Sequence, residues 1–104
     1  MLPELSLHVL LALGDGPAHG YAIGKDIAER TQQSAAPTTG SLYQTLKKLT
    51  DAGLIRHVRA PAGMDPRRKY FAITPAGKRV VAEEIQRLES IVAVGRRRRL
   101  YGGA

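Results

Sequence analysis

Apolar positions along the chain change their spacing from stretch to stretch, and each spacing predicts an element. In "ELSLHVLLAL" (4–13) only Glu4, Ser6 and His8 interrupt the apolar residues, and Gly14 follows as a C-terminal stop, which predicts a first helix. Nearly every face of that helix asks for burial, more cover than one small domain supplies on one side. A second subunit could supply the rest. "GDGPAHG" (14–20) reads as a turn-rich connector. A second helix over roughly 20–31 carries Ile23, Ile27 and Ala28 as its stripe. "QQSAAP" then breaks the chain, and Thr38 is placed to cap a third helix. Leu42, Leu46 and Leu49 give that helix one narrow apolar face, and it is expected to end at Gly53. "LIRHVRA" (54–60) and "RKYFAIT" (68–74) are β-rich, joined by "PAGMDP", with imperfect alternation that predicts a short, partly exposed hairpin. Thr74 caps a last helix with Pro75 at its first position. Val81, Ile85, Leu88, Val92 and Gly95 follow at spacings of 4, 3, 4 and 3, a coiled-coil seam whose continuation meets Arg99 inside "RRRR" (96–99).

The order helix, helix, helix, hairpin, helix is an α+β chain, mostly α. It predicts a winged helix-turn-helix of three helices and a two-stranded wing over 1–75, a dimerisation helix over 76–100 and a flexible tail over 101–104. At 100° per residue, Gly40, Ser41, Gln44, Lys47 and Lys48 fall opposite the leucines of the third helix, with Thr39 and Tyr43 on its flanks. Small residues at the helix start allow close approach to a groove, and the free N–H groups there favour phosphate. Gln44 can read a base edge, Ser41 or Thr39 can bond phosphate or base, and the two lysines reach toward the backbone. Arg67, Arg68 and Lys69, at the return of the hairpin, stand where a wing meets phosphates. Each feature also has a plainer reading: an amphipathic helix, a solvated sheet edge, and for Tyr43 a half-buried packing residue with a wet hydroxyl.

Charge shifts the balance. The chain of 104 residues carries +7, with a net of −1 over residues 1–52 and +8 over 53–104. A basic half of this kind suits a polyanion, nucleic acid before a membrane surface. With no cysteine, disulfides and thiolate metal sites are excluded. No cationic leader precedes the first apolar run and no apolar stretch reaches spanning length, so a cytoplasmic protein with no membrane partner is expected. A chain this short gains from oligomerisation. Two acidic-partner or coating alternatives remain: a winged-helix protein-interaction module, and a general nucleic-acid-coating protein, against which the scarcity of aromatics counts.

Three motifs together carry a resemblance. "HVLLALGDGPAHGYAIGKDIAER", "TGSLYQTLKKLTDAGLI" and "RRKYFAITPAGKRVV" resemble consecutive motifs of the PadR-like transcriptional regulators, over residues 5 to about 82. The resemblance implies a homodimeric winged-helix repressor of operator DNA, often relieved by a small molecule. It gives Ser41, Tyr43, Gln44, Lys47 and Lys48 to the major groove, and Arg67, Arg68 and Lys69 to the wing. It gives the dimer contact to the first and last helices, here Leu7, Leu10, Leu11, Val81, Ile85, Leu88 and Val92. Any small, apolar effector would then sit at the dimer interface. The wing departs from the family's G-x-P-R-type stretch, with Asp65 and Arg67 at the glycine and proline positions around Pro66, and Phe71 stands where a second tyrosine is common.

Catalysis finds no support. His8, His19 and His57 lie apart in sequence with no ligand spacing between them, so no metal is expected. His19, in a turn before a helix, suits capping or packing. "GYAIGKD" lacks the phosphate-loop spacing and has Asp26 in place of the needed hydroxyl, and "GDGPAH" puts His19 at a required glycine. Neither an enzyme nor a cofactor is expected. The arginine-rich end reads as a solvated tail, as extra phosphate contacts or, least well, as a lipid contact.

Overall fold

The computed structural model describes residues 1–101. Its elements are α1 (Glu4–Ala12), β1 (Ala18–His19), α2 (Gly20–Arg30), α3 (Thr39–Asp51), β2 (Ile55–Val58), β3 (Tyr70–Ile73) and α4 (Pro75–Arg97). Local chemistry explains most boundaries. Thr38 and Thr74 each accept a hydrogen bond from a backbone N–H three residues on, those of Ser41 and Gly77. After α3 the chain reverses through Gly53, whose φ of +74° suits a residue without a Cβ.

The hairpin is part of a larger sheet. Ala18 and His19 pair with Phe71 and Tyr70, so a third strand joins and the order is β1-β3-β2, all antiparallel. The expected two-stranded wing is β2–β3, and β1 extends its sheet by a strand that was not expected. It also explains the imperfect alternation: β3 is central, and adjacent Tyr70 and Phe71 are both buried, on opposite faces of the pleat. Phe71 joins the core, and Tyr70 lies edge-on against the His19 ring at 5.5 Å.

The core unites Val9 and Leu10 from α1, Leu13 at its C-terminal cap, Ile23 and Ile27 from α2, the three leucines of α3, and Ile55 and Phe71 from the sheet. Burying each such side chain contributes about 1.5–3 kcal/mol. Leu10 therefore departs from its expected place at a subunit contact. It is 1% exposed inside its own protomer and has no surface left for a partner. Leu11 is 39% exposed and Leu7 is half-buried, so α1 has one covered face and one open one. Its almost uniformly apolar sequence hid which was which.

Helix α4 spans 23 residues, about 34 Å at 1.5 Å per residue. Its first half docks on the domain through Gly77, Val81 and Glu84. Val81, expected at the subunit contact, is partly buried against its own core. Glu84 accepts two hydrogen bonds from Arg87, both 2.8 Å, and one from the Leu2 N–H at 3.4 Å. Those bonds, those from Arg87 foremost, hold its carboxyl at about 2. The second half extends past the domain, leaving Ile85, Ile91 and Val92 exposed and Leu88 half-buried. Arg96 and Arg97 belong to the helix, which closes with Arg99 at φ +56° and the Leu100 N–H bonded to the Gly95 carbonyl at 3.0 Å. Tyr101, first residue of the expected tail, packs its ring 5.0 Å from the Arg96 guanidinium carbon, and the tail's other residues, 102–104, lie outside the described residues. No helix among the described residues is long and apolar enough to cross a membrane.

Candidate nucleic-acid interface

With its leucines inward, α3 turns Thr39, Gly40, Tyr43, Gln44, Lys47 and Lys48 to solvent. Ser41 is half-buried and stands apart from them. Its hydroxyl donates to the Thr38 carbonyl at 3.1 Å and accepts from the Thr38 hydroxyl at 2.9 Å, and it faces a groove shared with Glu4 and His8 of α1. The expected reader of phosphate or base is thus engaged in capping the start of its own helix.

The other flank of α3 meets the sheet across a cleft of about 490 Å³. Tyr43 and Lys47 line it from the helix, Arg68 and Lys69 from the wing, and Tyr21, His57 and Phe71 complete its walls and floor. The structure therefore brings four of the nine expected contact residues into one concavity. Tyr43 is 52% exposed and leans over Gly20, where a Cβ would stand 2.5 Å from its hydroxyl oxygen. Only glycine at position 20 lets that ring lie there. Tyr43 thus packs its ring over Gly20 of α2 while about half of its surface stays open to solvent.

Two carboxylates lie beside these cations, Asp51 bonded to Lys47 and Asp65 to Arg67, the neighbour of Arg68. Asp51, a turn beyond Lys47, accepts from its ammonium at 3.0 Å. In the wing, Asp65 accepts from Arg67 Nε at 3.1 Å and from Arg67 Nη2 at 3.2 Å. Those bonds, followed by the one from the Arg67 backbone N–H, lower the Asp65 carboxyl below its ordinary value. Arg68 turns inward instead. Its guanidinium carbon is 5.9 Å from the centre of the Tyr21 ring, and its Nη1 lies 3.4 Å from His19 Nδ1.

His19 caps α2, accepting the Ala22 N–H on Nδ1 at 3.1 Å. Burial, and next the positive charge of Arg68, push its pKa below the ordinary histidine value, with Asp65 opposing. Tyr21, His57 and Lys25 were not anticipated as parts of this face. Tyr21 and Lys25 border a second groove with Thr39 and Tyr43. Helical spacing in α2 could have found Tyr21, two positions past the cap. His57 follows only from its pairing with Phe71 across the sheet.

Comparison with known proteins follows this geometry. The model of the "Transcriptional regulator PadR-like family" matches residues 9–83. An uncharacterized 37.1 kDa protein in transposon TN4556 of Streptomyces fradiae is 40% identical over 81 residues, 78% of this chain and 22% of that protein. The chain spans less than half the length of the curated relatives it matches. Among solved structures, a PadR family transcription regulator from Clostridium difficile R20291 superposes with a TM-score of 0.78 at 25% identity, over 91% of this chain and 97% of that one. Bacillus subtilis PadR in complex with operator DNA gives a TM-score of 0.68 at 28% identity, over 80% of this chain and 47% of that one.

Proposed function

The chain belongs to the PadR-like family of transcriptional regulators, a family of regulators rather than enzymes, and from that membership we propose that it represses transcription as a homodimer bound to operator DNA. One observation carries the reading: the polar face of α3 and the basic wing flank a single concavity, with Tyr43, Lys47, Arg68 and Lys69 on its two sides. In the proposed complex α3 lies in the major groove and the wing follows the adjacent backbone. Gln44 reads a base, while Lys47 and Lys48 fix the register on phosphates. Thr39 and Tyr43 approach the backbone from the flank, and Arg67, Arg68 and Lys69 approach it from the wing. Two copies related by a two-fold axis present their α3 helices to successive grooves about 34 Å apart. Relief by a small apolar effector would act at the subunit contact, where Ile85, Leu88 and Val92 line a groove on α4. The work is cytoplasmic.

Fluorescence anisotropy tests this on the duplex upstream of the gene and a shuffled duplex, at about 50 and 200 mM salt. Preference for the native duplex that survives the higher salt is expected. Gln44→Ala should reduce discrimination by about 1–3 kcal/mol, whereas Lys48→Ala should weaken both duplexes alike and lower the salt slope by about one. Equal binding to both duplexes that collapses with salt would leave only a basic surface and refute the operator reading.

A further inference from the structure

Asp65 begins a tight turn through Pro66. Its carbonyl accepts the Arg68 N–H at 3.3 Å, and its Oδ1 accepts the Arg67 N–H at 2.9 Å. The same carboxylate takes the Arg67 side chain on both oxygens, Nε on Oδ1 and Nη2 on Oδ2, with Arg68 Nε a further 4.0 Å from Oδ2. Two parallel N–H···O bonds from one guanidinium are the arrangement in which arginine also receives a phosphate. The Arg67 side chain is 88% exposed, so it reaches furthest into solvent of the pair, yet its fork is filled from within the chain.

We propose that Asp65 is an internal phosphate mimic, occupying the Arg67 fork in the free protein and surrendering it only when a DNA phosphate takes its place. The inference rests on the DNA-binding reading above and adds a regulation of its affinity. An ion pair this exposed is weak, so a phosphate can displace it. Until that exchange, the wing tip carries one negative charge among three positive ones, and Arg68 is held back on Tyr21 and His19. Sequence-independent affinity arises from phosphates neutralised by cations. A carboxylate that competes for one of those cations lowers that affinity and helps keep the protein off random DNA.

Asp65→Asn isolates the charge, because the asparagine oxygen still accepts the Arg67 N–H and preserves the turn. On the native and shuffled duplexes, Asp65→Asn should bind about three- to tenfold more tightly than wild type at about 50 mM salt, and its log–log salt slope should steepen by less than the ~0.9 of a whole phosphate contact, because Arg67 reaches its phosphate in both proteins and only the opposing carboxylate charge is removed. Arg67→Ala should cost little in the wild-type background and much more in the Asp65→Asn background. Without DNA, the Asp65 carboxyl followed by carbon NMR should titrate below the normal aspartate range and rise part of the way back in Arg67→Ala, which keeps the backbone N–H bond and the nearby Arg68. Wild-type protein that binds while Asp65→Asn binds equally or more weakly, with an unchanged slope, overturns the mimic alone. Wild-type protein that binds no duplex overturns the DNA reading and the mimic with it.

Discussion

His19 holds together three parts of the molecule through one ring. Its Nδ1 caps α2, its edge meets Tyr70 of the central strand, and its face stacks on Tyr21 at 6.4 Å. Capping through Nδ1 requires a lone pair there, so the ring must be neutral and carry its proton on Nε2. Protonation would remove the cap and place a second cation beside Arg68. The native pKa is lowered, so below the unfolded value of about 6.5 the unfolded chain binds more protons than the native one. Stability from the neutral ring is therefore complete above about pH 6.5 and is lost as pH falls through the native value. Thermal melts between about pH 7 and 5 should show a falling midpoint for wild type and a flatter profile for His19→Asn, which can still cap. Parallel profiles for the two proteins would mean that His19 does not titrate in this window.

At the scale of elements, the junction of wing and α4 depends on Thr74. Its hydroxyl oxygen caps Gly77 at 3.1 Å and its proton goes to the Gly53 carbonyl at 2.7 Å, while its own N–H bonds the Leu54 carbonyl at 3.1 Å. One side chain thus joins the end of α3, the sheet and the start of α4. Thr74→Ala should cost about 1–2 kcal/mol in urea denaturation, and Thr74→Ser should recover most of it. An alanine variant as stable as wild type would show the junction to be held by packing alone. Thr38 and Thr74 were legible in the sequence because a cap is decided within four residues. The three leucines of α3 were legible because one repeat fixes one face. Leu10 was not, since neighbouring leucines on α1 give no direction until the rest of the core is in place. Strand β1 was equally hidden, because its two residues acquire strand geometry only by pairing with β3 far along the chain. In the candidate site the exposed face of α3 could be read from periodicity. The engagement of Ser41 in the cap, of Lys47 with Asp51 and of Arg67 with Asp65 required side-chain positions.

The whole molecule is long for its mass, 51 × 27 × 25 Å, because α4 continues beyond the domain it caps. An isolated helix of that length is marginal in water, and most helical stability comes from packing an apolar face. Here Ile85, Leu88 and Val92 fall within reach of one another at helical spacing, with Ile91 56% exposed beside them, and nothing among the described residues covers them further. A second copy crossing the same face would bury them, and an isologous contact of that kind is self-complementary. The proposed subunit contact is therefore the open side of α1, through Leu7 and Leu11, and the distal half of α4. Ile85→Asp combined with Val92→Asp should leave each domain folded while placing charges in the proposed seam, and sedimentation should then report a monomer for the variant and a dimer for wild type. The same variant should lose operator affinity by about 10² or more, because two linked half-site contacts become one. Shuffled DNA at low salt should lose far less, since its binding depends on phosphates under each protomer separately. A double variant that remains dimeric would place the contact elsewhere. One that is monomeric yet binds operator undiminished would mean that a single winged helix reads the whole site.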